Sequence, residues 1–173
     1  MFRWVMALLL VVSTMAAGVS QAQVAVYGEF SASDLAGGPQ GDYLYGGTTG
    51  VLLDGPIWFH HLALAADVQG RFITHNGESL NGVTFGPRVS LPLQRFGGLS
   101  PFAEFLVGFA RYNDGANNAT TDETFQTNAG VTKRVSKRWD AVVDYSYAQY
   151  GANFGEFNPK SYSVGALFHF NKR

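Results

Sequence analysis

The stretch Lys160-Ser161-Tyr162-Ser163-Val164-Gly165-Ala166-Leu167-Phe168-His169-Phe170 alternates residue by residue. Tyr162, Val164, Ala166, Phe168 and Phe170 make one aromatic-rich face, opposite Ser163, Gly165 and His169. Successive side chains of a strand point to opposite faces, so this period of two predicts a β-strand with one apolar side. The pattern recurs upstream. In 62–72, Leu62, Leu64, Ala66, Val68 and Phe72 oppose Ala63, Ala65, Asp67, Gln69 and Arg71. In 83–91, Val83, Phe85, Pro87, Val89 and Leu91 oppose Thr84, Gly86, Arg88 and Ser90. In 125–135, Phe125, Thr127, Ala129, Val131 and Val135 oppose Gln126, Asn128, Gly130, Thr132 and Arg134. Trp139, Ala141, Val143, Tyr145 and Tyr147 then oppose Asp140, Val142, Asp144, Ser146 and Ala148. With 24–33, 43–52 and 102–112, these segments predict eight strands of roughly 10 residues, the length a tilted membrane strand needs. No window after Ala22 sustains the spacing of an amphipathic helix.

An even number of antiparallel strands brings both ends of the domain to one side. The expected connections alternate in character. Residues 54–56, 94–100 and 136–138 read as short turns, whereas 34–42, 73–80, 113–123 and 151–159 read as longer polar loops. Short turns on one side and longer loops on the other suit a barrel that spans a membrane.

Composition agrees. Of 173 residues, 46% are hydrophobic and only 14% charged, below the roughly 25% charged of soluble domains. A net charge of −1 provides no basic footprint, which argues against nucleic acid as a partner. With no cysteine, disulfides, thiolate metal sites and Cys nucleophiles are excluded. At the N-terminus, Arg3 precedes the apolar run 4–12, and Ser20-Gln21-Ala22 places small residues where a signal peptidase cuts. A secretory signal peptide over 1–22 is expected, followed by one β-barrel domain over 23–173. The apolar run is too short for a membrane-spanning helix.

Alternation alone does not say which face turns inward; side-chain size does. Gly86, Ser90, Gly108, Gly130, Ser146, Ser163 and Gly165 make the polar faces small, while Phe85, Phe105, Phe109, Tyr145, Phe168 and Phe170 lie on the apolar ones. An eight-stranded lumen is just wide enough for side chains to fill, and this many aromatics would overfill it. The apolar faces therefore belong outside, in lipid, with Trp139 and Tyr147 near the strand ends as interfacial anchors. The lumen is then expected to hold Glu29, Asp67, Glu104 and Asp144 against Arg71, Arg88 and Arg134. Buried charges need partners, so a lumen filled by paired charges is expected, ahead of an ion pathway or proton-linked gate.

The run Ser163-x-Gly165-x-x-Phe168-x-Phe170 resembles the β-signal by which outer-membrane barrels are recognised by their assembly machinery. Asn171-Lys172-Arg173 follow the last aromatic, whereas many such proteins end on it. Together with Asn128-Ala129-Gly130-Val131, the turn Val135-Ser136-Lys137-Arg138 and Asp144-Tyr145-Ser146-Tyr147, it resembles the small outer-membrane β-barrel domain family. That family shares its barrel type with the OmpA transmembrane domain and the OmpX and OmpW groups. The resemblance implies an all-β, eight-stranded, antiparallel up-and-down transmembrane barrel in the outer membrane. Its implied partners are outer-membrane lipid, lipopolysaccharide and, during biogenesis, the assembly machinery.

No motif implies a cofactor or metal. His60 and His61 are adjacent, so on a strand they point to opposite faces, and His169 is expected in an ordinary hydrogen bond near the rim. Outer-membrane deacylases use a Ser nucleophile two residues after a His, but Asp144-Tyr145-Ser146-Tyr147-Ala148-Gln149 carries no His. Gly46-Gly47-Thr48-Thr49-Gly50 matches no phosphate loop. The expectation is a non-enzymatic barrel acting structurally or through a surface ligand at its loops. A narrow pore, a lipid A-modifying enzyme and a soluble lipocalin-like barrel are the alternatives.

Overall fold

The computed structural model describes residues 23–34, 43–58, 62–116, 118–151 and 158–170; the expected leader at 1–22 and the His60-His61 pair lie outside them. Eight strands follow one another: β1 (Gln23–Asp34), β2 (Tyr43–Trp58), β3 (Leu62–His75), β4 (Glu78–Ser90), β5 (Leu99–Asn113), β6 (Ala119–Arg134), β7 (Trp139–Tyr150) and β8 (Lys160–His169). Each pairs antiparallel with its sequence neighbour, and β8 returns to β1 to close the barrel. Closure leaves no unpaired edge, which a strand in hydrocarbon could not tolerate.

The β1–β8 seam is tightest against a glycine. Gly165 lies opposite Glu29 in the β1–β8 ladder, and a Cβ there would run into the Gly28 carbonyl oxygen and the Glu29 Cα. The missing side chain gives Glu29 room in the lumen.

Most strands are longer than the sequence suggested, though β8 ends one residue earlier, and three connections change. Asp54-Gly55-Pro56 is not a turn but lies within β2, where the β2–β3 register shifts between Asp54 and Ile57. Proline has no N–H to give a ladder, so an irregularity is where a strand tolerates it. The loop expected over 73–80 is a two-residue hairpin turn: His75 pairs Glu78, with Asn76 and Gly77 both at positive φ, 48° and 90°. Asn-Gly in that conformation matches the right-handed twist of the flanking strands. The loop expected over 113–123 shrinks because β6 begins at Ala119 and pairs with β5. On the opposite side, a short 3-10 turn, Gln94–Phe96, links β4 to β5.

The faces sort as side-chain size required. Phe30, Val83, Phe109 and Tyr162 are 57–62% exposed on the outer surface, whereas Thr48, Asp67, Gln126 and Ser146 are 0–2% exposed inside. Such a continuous apolar outer face needs lipid rather than water around it. Its upper end is marked by Tyr43, Tyr45 and His75, with ring centroids 6.0 and 6.4 Å apart, and by Tyr145 against Tyr162 at 5.2 Å. At the lower end Trp139 packs on Phe168 at 4.9 Å and Phe168 on Phe170 at 5.4 Å. Along β3 the apolar face runs from Leu62 to Phe72, which at the usual tilt of ~40° rises roughly 25 Å, the height of a bilayer's apolar band.

Candidate functional site

The lumen is where polar chemistry concentrates, and its contents form layers. Toward the loop side, Leu44, Ile73, Leu80, Ala110, Ala148 and Tyr150 pack into a buried apolar plug, with Tyr112 against it. Ala25, Tyr27, Leu52, Ala65 and Leu167 form a second buried apolar cluster toward the other end.

Between them lie two hydrogen-bonded groups. In the first, Arg71 donates through Nε to Thr48 Oγ1 at 3.3 Å and through Nη1 to Ser161 Oγ at 3.0 Å. Ser31 joins Thr48 at 2.7 Å and Ser163 at 3.0 Å, and Ser33 bonds Ser161. Here hydroxyls from β1, β2 and β8 surround a guanidinium from β3. In the second group, Arg88 is salt-bridged to Glu104 at 3.0 Å, with its Cζ 3.6 Å over the Phe102 ring. Asn128 donates to the other Glu104 oxygen at 2.7 Å, and Gln126 donates to Asn128 and Gln69 at 2.7 and 2.8 Å. Gln69 donates to the Tyr27 hydroxyl at 3.2 Å, and that hydroxyl donates to Asp67 at 2.9 Å. The chain of contacts crosses from β4 to β1 through five strands, so its amides and carboxylates fix one another's positions. Below it, buried His169 meets Asp140 at 2.9 Å, the hydrogen-bonded role expected of it.

The expected lumenal charges thus separate. Asp67, Arg71, Arg88, Glu104 and Asp144 are buried inside, and Glu29 is partly buried among them. Arg134 shares their strand parity but is exposed at the end of β6, where the barrel opens to the turns. Arg88 pairs directly with Glu104, whereas Arg71 makes its hydrogen bonds to hydroxyls and has Glu29 and Asp144 as its carboxylate neighbours. The sequence reading also missed the amide relay of Gln69, Gln126 and Asn128. Inward parity on β3 and β6 placed these residues in the lumen, but which strands meet there depends on how the barrel closes.

Ser146 is buried in the lumen, away from the lipid-facing surface. No His lies beside it on β7, and His169 is engaged with Asp140.

Comparison with known proteins agrees with this geometry. The sequence matches the outer membrane protein beta-barrel domain family over residues 5–170. Among solved structures, the chain is similar to Neisserial surface protein A, with 13% identity, a TM-score of 0.56, and 86% of this chain and 97% of that one covered. It is similar to Ail, the attachment invasion locus protein of Yersinia pestis, with 10% identity, a TM-score of 0.54 and coverage of 86% and 97%. It is also similar to the outer membrane enzyme PagL, with 15% identity, a TM-score of 0.54 and coverage of 83% and 98%. At these identities the likeness is one of fold. No curated protein matches the sequence.

Proposed function

The chain belongs to the outer membrane protein beta-barrel domain family, and from that premise we propose that it serves as a non-enzymatic envelope barrel with a closed lumen. The observation that carries this reading is the filling of the lumen. Leu44, Ile73 and Leu80, each at most 2% exposed, occupy one end, and the Arg88-to-Asp67 relay crosses the middle. Ions would have to displace packed apolar side chains and break a connected polar network to pass. The lipid-facing belt and the loop-side rim are what remain to meet partners: outer-membrane lipid, lipopolysaccharide and a surface ligand at the loops. Residues 1–22 serve in this reading as the export signal, and Ser163, Gly165, Phe168 and Phe170 as the mark read by the assembly machinery.

Planar-bilayer recording on the purified, refolded barrel tests the closed lumen. The expected record has no discrete steps; reproducible steps that scale with protein added would establish the narrow pore instead. Similarity to an outer membrane enzyme makes the second test specific. Lipid A mass spectra with and without expression are expected to be identical, since Ser146 faces the lumen with no His on its strand. An acyl chain lost only on expression would overturn the non-enzymatic reading.

A further inference from the structure

Charge is unevenly shared between the described rims, with half-buried Asp54 of β2, opposite Gln23, as an acid toward the lower end outside the two turns that follow. The two turns at the lower rim, between β4 and β5 and between β6 and β7, carry Arg95, Lys137 and Arg138, and the end of β6 that enters the second carries Lys133 and Arg134, all exposed. Neither 91–99 nor 131–139 contains an acidic residue, and the next acid, Asp140, is buried against His169. At the loop rim the balance reverses: Asp34, Glu78, Asp114, Asp122 and Glu123 stand with Arg111 and Lys160.

The basic turns form one surface. Leu99 pairs with Lys133, and the Arg134 N–H donates to the Gly98 carbonyl at 3.2 Å, joining one turn to the other. The two most exposed large apolar side chains at this rim sit within it, Phe96 at 69% and Val135 at 70%. Lys133 lies on the outer face of β6, one outward position beyond Val131, where the apolar belt ends. Basic side chains beside protruding apolar ones at a belt's edge match a membrane interface, where the apolar groups enter the acyl boundary and the cations meet head groups.

We propose that this rim, the end at which β1 begins and β8 finishes, faces the periplasm and is a docking surface for anionic phospholipid head groups of that leaflet. The proposal rests on the barrel standing in the membrane and not on the lumen being closed, so the two readings fail separately. Charge complementarity fixes the occupant. The phosphate of a phosphatidylglycerol-type lipid is held by the bilayer at the depth of Lys133, with Arg95, Lys137 and Arg138 on the turns beside it. Favourable contact with an anionic surface is worth about fivefold per basic residue and is screened by salt.

The test uses the full mature barrel in phosphatidylcholine vesicles containing spin-labelled phosphatidylglycerol or spin-labelled phosphatidylcholine, and compares the protein-bound fraction of each by electron paramagnetic resonance. The expected preference for phosphatidylglycerol is at least threefold, falling to near one in 1 M salt. It should also fall to near one when Arg95, Lys133, Arg134, Lys137 and Arg138 are all changed to Gln, and be unchanged in the loop-rim variant Glu78→Gln/Asp122→Gln/Glu123→Gln. Should the fivefold variant not fold, the double variant Lys137→Gln/Arg138→Gln is expected to lower the preference at least twofold. A wild-type preference of one, or a preference that survives salt and these changes, overturns the proposal. So does a rim that shows no lipid preference but binds soluble muropeptides, since the partner would then be the cell wall.

Discussion

Two side chains set the interior's tolerance to change. Arg88 and Glu104 are both buried and bonded to each other at 3.0 Å, and Asn128 completes the carboxylate. Removing one partner leaves an uncompensated buried charge, which costs far more than the pair contributes. Glu104→Ala is expected to lose roughly 3 kcal/mol in urea unfolding from detergent micelles. The double change Arg88→Leu/Glu104→Leu should recover most of that loss; a double variant as unstable as the sum of its singles would contradict the pairing. Outside the spanning strands, Asp114 has a different role. Its carboxylate accepts from the Asn118 side chain at 2.9 Å and from the Ala116 and Asn118 backbone N–H groups at 2.8 and 3.2 Å. These bonds, the Asn118 side chain foremost, hold its pKa below the ordinary carboxylate value. A depressed pKa means the loop contacts are fully present above the ordinary value of about 3.9 and are lost as pH falls through the lower, folded one. The Ala116 amide resonance is therefore expected to titrate with a midpoint below that of an unstructured peptide; a midpoint at or above it would remove the account of this loop.

Glycine positions decide two elements, for opposite reasons. Gly165 faces the β1 backbone with no room for a Cβ, while a Cβ at Gly28, on the outer face, would meet nothing within 4 Å. Gly165→Ala should therefore cost roughly 1–3 kcal/mol and reduce the folded, heat-modifiable band on gels, with Gly28→Ala close to wild type. Equal behaviour of the two would refute the steric role given to Gly165. In the β3–β4 turn, Gly77 at φ 90° should not accept a branched side chain, and Gly77→Val is expected to destabilise by about 1–2 kcal/mol in the same unfolding assay. These elements show what the sequence could and could not reveal. Alternation located all eight strands, because one face of each had to be apolar. It missed the ends at His75, Glu78 and Ala119, where outward residues turn polar as the strands leave the apolar band and the period-two signal fades. Asn76-Gly77 was a readable turn signal that the polar character of 73–80 obscured.

For the molecule as a whole, the inward and outward faces were legible from side-chain volume, since an eight-stranded lumen cannot hold aromatics from every strand. The identity of contacts inside was not. Arg71 and Ser161 are 90 residues apart in sequence and meet only because β8 closes on β1 beside β2. The strand register gave Arg71 its hydrogen bonds to hydroxyls and Arg88 a direct one to a carboxylate, a distinction that parity alone does not make. The central claim is that a polar, filled interior is enclosed by an apolar surface in lipid. Nitroxide labels placed singly at residues 125 to 131, with the protein in bilayers, test it most directly by their accessibility to oxygen dissolved in the acyl phase. Labels at 125, 127, 129 and 131 are predicted to relax strongly with oxygen, and those at 126, 128 and 130 to be shielded from it. The opposite phase, or seven positions alike, would contradict the barrel as described.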